Sequence, residues 1–166
     1  MKSYSQAGQD LWVLKESRFK NNGFYIEIGA YDPVNLSNTL LLEQKGWSGI
    51  SFELADIQKT WSQKRKNKLV ICDATKFDFL NFFIANEVPK NIDYLSLDID
   101  EYSLSCLKIL PLEKYNFSSI TIEHDEYIQG SDTKNKMREI LSSHGYALSC
   151  PDVSHNECIY EDWWTK

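Results

Sequence analysis

Five short apolar runs, each ending near an acid, constrain this chain most. They are Phe24–Ile28 around Glu27, Trp47–Phe52 before Glu53, Leu69–Cys72 before Asp73, Tyr94–Leu97 before Asp98 and Ser119–Ile122 before Glu123. Runs of this length read as buried strands. Helical signals lie between them. Residues 7–20 read as an opening helix stopped by Asn21-Asn22-Gly23. Ser37 or Asn38 can cap a helix carrying Leu40, Leu41 and Leu42, which Gly46 ends. Asp56 is placed to cap a helix that runs through Trp61 to Lys66. Thr75 with Asp78 resembles a capping box for a Phe-rich helix to Asn86. A helix near 103–110 stops at Pro111. Asp132 is placed to cap another, with Met137, Ile140 and Leu141 inward and Gly145 at its end. Strands alternating with helices predict an α/β fold with a mostly parallel sheet. The tail reads as two strands, Tyr146–Cys150 and Glu157–Tyr160, forming an antiparallel pair.

In open parallel sheets, ligands bind outside the carboxyl ends of the strands. The five acids therefore line a binding edge. Gly29, straight after the first strand, lets the backbone turn tightly and approach a ligand. Glu53 is placed to accept both hydroxyl protons of a ribose, and Asp73 to reach an adenine amino group. A dinucleotide fits poorly. Its pyrophosphate needs close backbone approach, usually from G-x-G-x-x-G, and the loop here is Gly29-Ala30-Tyr31-Asp32-Pro33-Val34. Asp32 would also repel the diphosphate. The Walker lysine pattern is absent, which disfavours ATP or GTP hydrolysis. A phosphate-free, positively charged sulfonium cofactor suits an acidic rim.

At 166 residues and 42% hydrophobic, the chain can bury one core, so 1–166 is read as a single domain. Within it, 1–22 is an N-terminal helical segment and 23–166 the Rossmann-like core. A net charge of −6 argues against a nucleic-acid partner or binding to an anionic membrane. The basic run Lys64, Arg65, Lys66 and Lys68 is expected to be a solvated helix end. Cys72, Cys106, Cys150 and Cys158 form no CxxC pair and read as reduced thiols. No apolar leader or membrane-length stretch is visible, so a cytoplasmic protein is expected.

Several stretches together resemble the FkbM family of methyltransferases. They are Ser5-Gln6-Ala7-Gly8-Gln9-Asp10, Phe24 through Asp32, Leu36-Ser37-Asn38-Thr39, Asp93 through Asp100, Ile120-Thr121-Ile122-Glu123-His124, and the closing Tyr160-Glu161-Asp162-Trp163-Trp164. The resemblance implies a doubly wound sheet of about seven strands with an antiparallel C-terminal strand. It implies S-adenosylmethionine as cofactor, with Glu27, Gly29, Ala30 and Tyr31 beside its methionine part. Glu53 would hold the ribose, Asp73 and Ala74 the adenine side, and Gln6, Asn38 and Asp98 would line the pocket. The implied reaction is methylation of a hydroxyl on a sugar or glycan-like acceptor. Pro33 and Glu101 stand where the family usually has glycine.

Methyl transfer to a hydroxyl needs positioning and removal of a proton. Asp98, Asp100, Glu123, His124 and Asp125 come after two adjacent strands. They suggest either Asp98, Glu123 and His124 around Mg²⁺ or another divalent metal, or His124 as the base, with Asp98 and Glu123 catalytic. His144 and His155 receive no role. Trp163 and Trp164 are expected to pack or to support self-association, as in a homo-oligomer. The alternatives are a non-catalytic S-adenosylmethionine-binding module and, less well supported, a dinucleotide or nucleotide-sugar enzyme.

Overall fold

The computed structural model describes residues 1–166. The apolar runs form β1 (Phe24–Ile28), β2 (Ser48–Glu53), β3 (Lys68–Ile71), β4 (Asn91–Leu97) and β5 (Asn116–Glu123). The tail supplies β6 (Ala147–His155) and β7 (Cys158–Thr165). All seven join one sheet in the order β3-β2-β1-β4-β5-β7-β6. Neighbours among β1 to β5 are parallel. β7 runs antiparallel to both β5 and β6, so it alone is reversed. This is the expected doubly wound, mostly parallel sheet of seven strands.

Helices α1 (Gln9–Glu16), α2 (Leu40–Gln44) and α3 (Gln58–Lys64) cover one face. Helices α4 (Phe79–Ala85), α5 (Ser103–Leu107) and α7 (Ser131–Ser143) cover the other, and α6 (Glu126–Gln129) is a single turn after β5. The two faces differ in chemistry. Ile26, Ile28, Ile50, Phe52, Leu95, Leu97, Ile120 and Ile122 point into the main core with Phe79, Phe83, Leu107 and Met137. The residues alternating with them, Glu27, Ser51, Ser96 and Thr121, are also buried but face α1 and α2. Strand register sets them in one row: Glu27 lies beside Ser51 and Ser96, and Ser96 beside Thr121. Buried polar groups need partners. Ser51 Oγ donates to Glu27 at 2.6 Å, Asn38 Nδ2 donates to Ser96 Oγ at 3.0 Å, and Tyr94 and Thr121 share a 2.7 Å hydrogen bond.

Several local expectations need correction. The opening helix is shorter than 7–20, because Arg18, Phe19 and Asn22 all take positive φ. Thr75 and Asp78 form no capping box. Asp73 caps the turn at 74–76 by accepting from Thr75 N, and Asp78 caps α4 by accepting from Asn81 N. Gly130, not Asp132, is the N-cap of α7. β7 runs on to Thr165, so Trp163 and Trp164 lie inside a strand and are buried. Arg65 is not solvated: it is 4% exposed. No helix is long and apolar enough to cross a membrane. All four cysteines are free thiols.

Candidate active site

The loop after β1 is wedged between its neighbours. Gly29 N and Ala30 N both donate to Phe52 O, and Asp98 N donates to Ile28 O at 2.9 Å. Gly29 has φ +90, and a Cβ there would lie 1.7 Å from the Asp98 carbonyl oxygen. Only glycine lets the ends of β1 and β4 come this close. Tyr31, also at positive φ, donates its N–H to Glu53 Oε2 at 2.7 Å. Glu53 Oε1 accepts from Ala55 N, so the acid at the end of β2 is held against the β1 loop. Asp32 is used inside the loop, accepting from Val34 N and Asn35 N.

At the ends of β4 and β5 the carboxyls of Asp98 and Glu123 face each other. Burial pushes both above the usual carboxylate range, and the Asp98 charge raises Glu123 further. The pair therefore shares a proton near neutrality. Glu123 Oε2 also accepts from Asp100 N at 2.8 Å. Asp125 stands beside them, raised to about 6 by burial and by the charges of Asp100 and Asp98. Glu123 and Asp125 line a cavity of about 220 Å³, with Gln6, Tyr127 and Tyr160 on its walls, His155 from the end of β6 and Asn156 from the β6–β7 turn. Below it, Gln9 Nε2 donates to Tyr160 OH and to Glu161 Oε2, both at 2.9 Å. Glu161 is fully buried. Burial, then the Asp98 charge, raises it to about 8.

The structure thus brings Gly29, Ala30, Tyr31, Glu53, Asn38 and Asp98 to one edge, with Gln6 and Glu123 beside the cavity. Glu27 lies one layer beneath, 2% exposed. Asp73 is occupied by Thr75 N, Thr75 Oγ1 and Lys76, which hold its carboxyl down at about 2. Ala74 packs into the main core. His124 is not brought to the cavity. Its ring is on the α7 side of the sheet, 1% exposed, with Nδ1 accepting from Glu126 N. Nε2 lies 3.7 Å from Asp162, which Arg138 also holds.

No protein-family model matches the chain, and no curated protein sequence does. Solved structures do. A TehB-like SAM-dependent methyltransferase from Corynebacterium glutamicum superposes with a TM-score of 0.60 at 10% identity, covering 95% of this chain and 87% of that one. A precorrin-6y C5,15-methyltransferase from Geobacter metallireducens gives 0.60 at 14% identity, covering 95% and 87%. TrmK of M. capricolum, solved with S-adenosyl-homocysteine, gives 0.56 at 16%, covering 93% and 67%. The chain has the fold of these methyltransferases.

On this methyltransferase fold, three residues of the edge escape sequence reasoning. Gln9 and Glu161 sit in the opening and closing motifs, yet nothing local shows that they meet. Arg65 is hidden in a run of cations. The signal that could have found Glu161 is its place in Tyr160-Glu161-Asp162-Trp163-Trp164, where two adjacent acids interrupt an aromatic strand.

Proposed function

We propose that this chain is an S-adenosylmethionine-dependent methyltransferase of the FkbM type, acting on a hydroxyl of a sugar or glycan-like acceptor. The observation that carries the reading is the β1–β2 edge, where Gly29, Tyr31 and Glu53 are tied together on a methyltransferase fold. The surrounding residues fit a cationic ligand. Asn38 Oδ1 is a buried acceptor with no donor, and Asp98 lies beside Asn38. Glu53 would take the ribose hydroxyls through its remaining lone pairs. Gln6, Glu27, Gly29, Ala30, Tyr31 and Asn38 would surround the methionine portion, with Asp73 and Ala74 on the adenine side. When bound, the cofactor supplies an electrophilic methyl group. Asp125 takes the acceptor's proton, since a base with a pKa near 6 is ionised at neutral pH yet still basic. The Asp98–Glu123 pair orients the hydroxyl. His124 takes no part, because its ring is closed off behind Asp162. Four free thiols suit a reducing compartment such as the cytoplasm.

A second reading gives deprotonation to a divalent cation. One carboxylate oxygen each from Asp100, Glu123 and Asp125 lie within 4.8 Å of one another. These oxygens, rather than Asp98 with His124, would hold Mg²⁺.

Calorimetric titration with S-adenosylmethionine and S-adenosylhomocysteine, with and without Mg²⁺, tests both readings. Binding is expected, and Glu53→Ala should weaken it about 10- to 100-fold, the loss of one or two charge-assisted hydrogen bonds. A folded wild-type protein that binds neither ligand overturns the proposal. Binding without turnover of any hydroxyl acceptor supports a non-catalytic module. Binding and turnover that are indifferent to chelation remove the metal version.

A further inference from the structure

Arg65 comes directly after α3, whose last residue is Lys64, and its extended backbone turns the side chain back into the protein. Its guanidinium donates in every direction. Nε reaches Glu43 Oε2 at 2.8 Å, Nη1 reaches Pro33 O at 3.3 Å and Ser37 Oγ at 3.2 Å, and Nη2 reaches Tyr25 OH at 3.0 Å and Thr39 Oγ1 at 2.8 Å. Its flat face stacks on Trp61 at 4.4 Å. Three of these five acceptors belong to residues 33–39, a segment with no helix or strand before α2 begins at Leu40. That segment carries Asn38, which holds Ser96 Oγ and approaches Asp98.

We propose that Arg65 is a positioning residue for the cofactor site: it fixes the backbone and hydroxyls of residues 33–39 and thereby aims Asn38 at the edge formed by Ser96 and Asp98. The inference rests on the methyltransferase reading of that edge. Lysine cannot substitute, because one ammonium on a flexible stem cannot span so many separate acceptors.

The test compares wild type, Arg65→Lys and Phe83→Leu by hydrogen exchange of backbone amides and by calorimetry with S-adenosylhomocysteine. Phe83 lies in the core on the opposite face and controls for lost stability. Arg65→Lys is expected to speed exchange of amides in 33–39 at least about tenfold, leave β4 and β5 protected, and weaken binding at least about tenfold. Phe83→Leu should lower the melting temperature without either change. Ser37→Ala removes one acceptor and keeps the guanidinium, so it reads the same loop if Arg65→Lys fails to fold; faster exchange confined to 33–39 is expected. Wild-type exchange in 33–39, uniform loss of protection across the sheet, or unchanged affinity in Arg65→Lys overturns the proposal. If the wild type itself binds no S-adenosylhomocysteine, the methyltransferase reading fails, and the exchange pattern alone decides the role of Arg65.

Discussion

Gly29→Ala is expected to lower stability by about 2–6 kcal/mol, a large share of what a domain this size possesses. Two costs combine. At φ +90 an alanine is strained, which typically costs about 1–3 kcal/mol. Its Cβ would also meet the Asp98 carbonyl oxygen at 1.7 Å and Ile99 Cγ2 at 2.8 Å. The first of these is backbone, held in place by Asp98 N donating to Ile28 O, so it cannot simply swing away. Relief requires β1 and β4 to separate, which breaks the sheet at its centre. Gly8→Ala is the comparison: φ is +89 there, but nothing lies within 4 Å of the added atom. Urea denaturation of both variants checks the claim. Equal losses in the two would mean that backbone strain alone matters and that the close approach of β1 and β4 does not.

The second large effect concerns pH. Glu161 is raised from 4.5 in an unfolded chain to about 8 in the folded protein, chiefly by burial and then by the Asp98 charge. Gln9 and Trp163 donate to it and lower it only in part. Between those two values the folded state holds a proton that the unfolded state has released. The contribution to stability is therefore fully present below about 4.5 and is lost as pH rises through about 8, levelling off above that. The span is at most about 5 kcal/mol. Glu161→Gln removes the titration and keeps an oxygen to accept from Gln9 and Trp163. The variant should be more stable than wild type at pH 9 and closer to it at pH 5. Thermal melts across that range decide the matter. A pH slope in Glu161→Gln as steep as the wild type's would mean that Glu161 is not the group responsible.

The strand-ending acids are readable because a strand of a parallel sheet is a short apolar run, and the residue just past its end sits at the binding edge. Less obvious is the meaning of the polar residue inside each run. Glu27, Ser51, Ser96 and Thr121 break the apolar runs with a period of two, and that period is the signature of a sheet with two unlike faces. The same period explains His124. It adjoins Glu123 in sequence, but alternation along the strand sends the two side chains to opposite faces, so His124 meets Asp162 and α7. Arg65 is unreadable for another reason. Its partners stand at positions 25, 33, 37, 39 and 43, and nothing near Lys64 and Lys66 distinguishes it from a solvated cation. Asp73 does stand at the end of β3, yet Thr75, two residues on, captures its carboxylate. Trp163 and Trp164 do pack, inside a strand longer than its apolar start indicates.

β7 lies between β5 and β6 although it comes after both in the chain. During synthesis, β6 must wait without a neighbour until the final strand has emerged and slotted in. Glu161 arrives with that strand, and the group that receives it, Gln9, belongs to the first helix, 152 residues earlier. The acidic edge is thus locked by a contact between residues far apart in the sequence, a kind that is slow to form. A partly made or partly folded chain would hold the β1–β2 half of the edge and lack the carboxyl cluster's floor. The edge would then be completed in one step, at the close of folding, and its completion would report that the whole sheet has assembled.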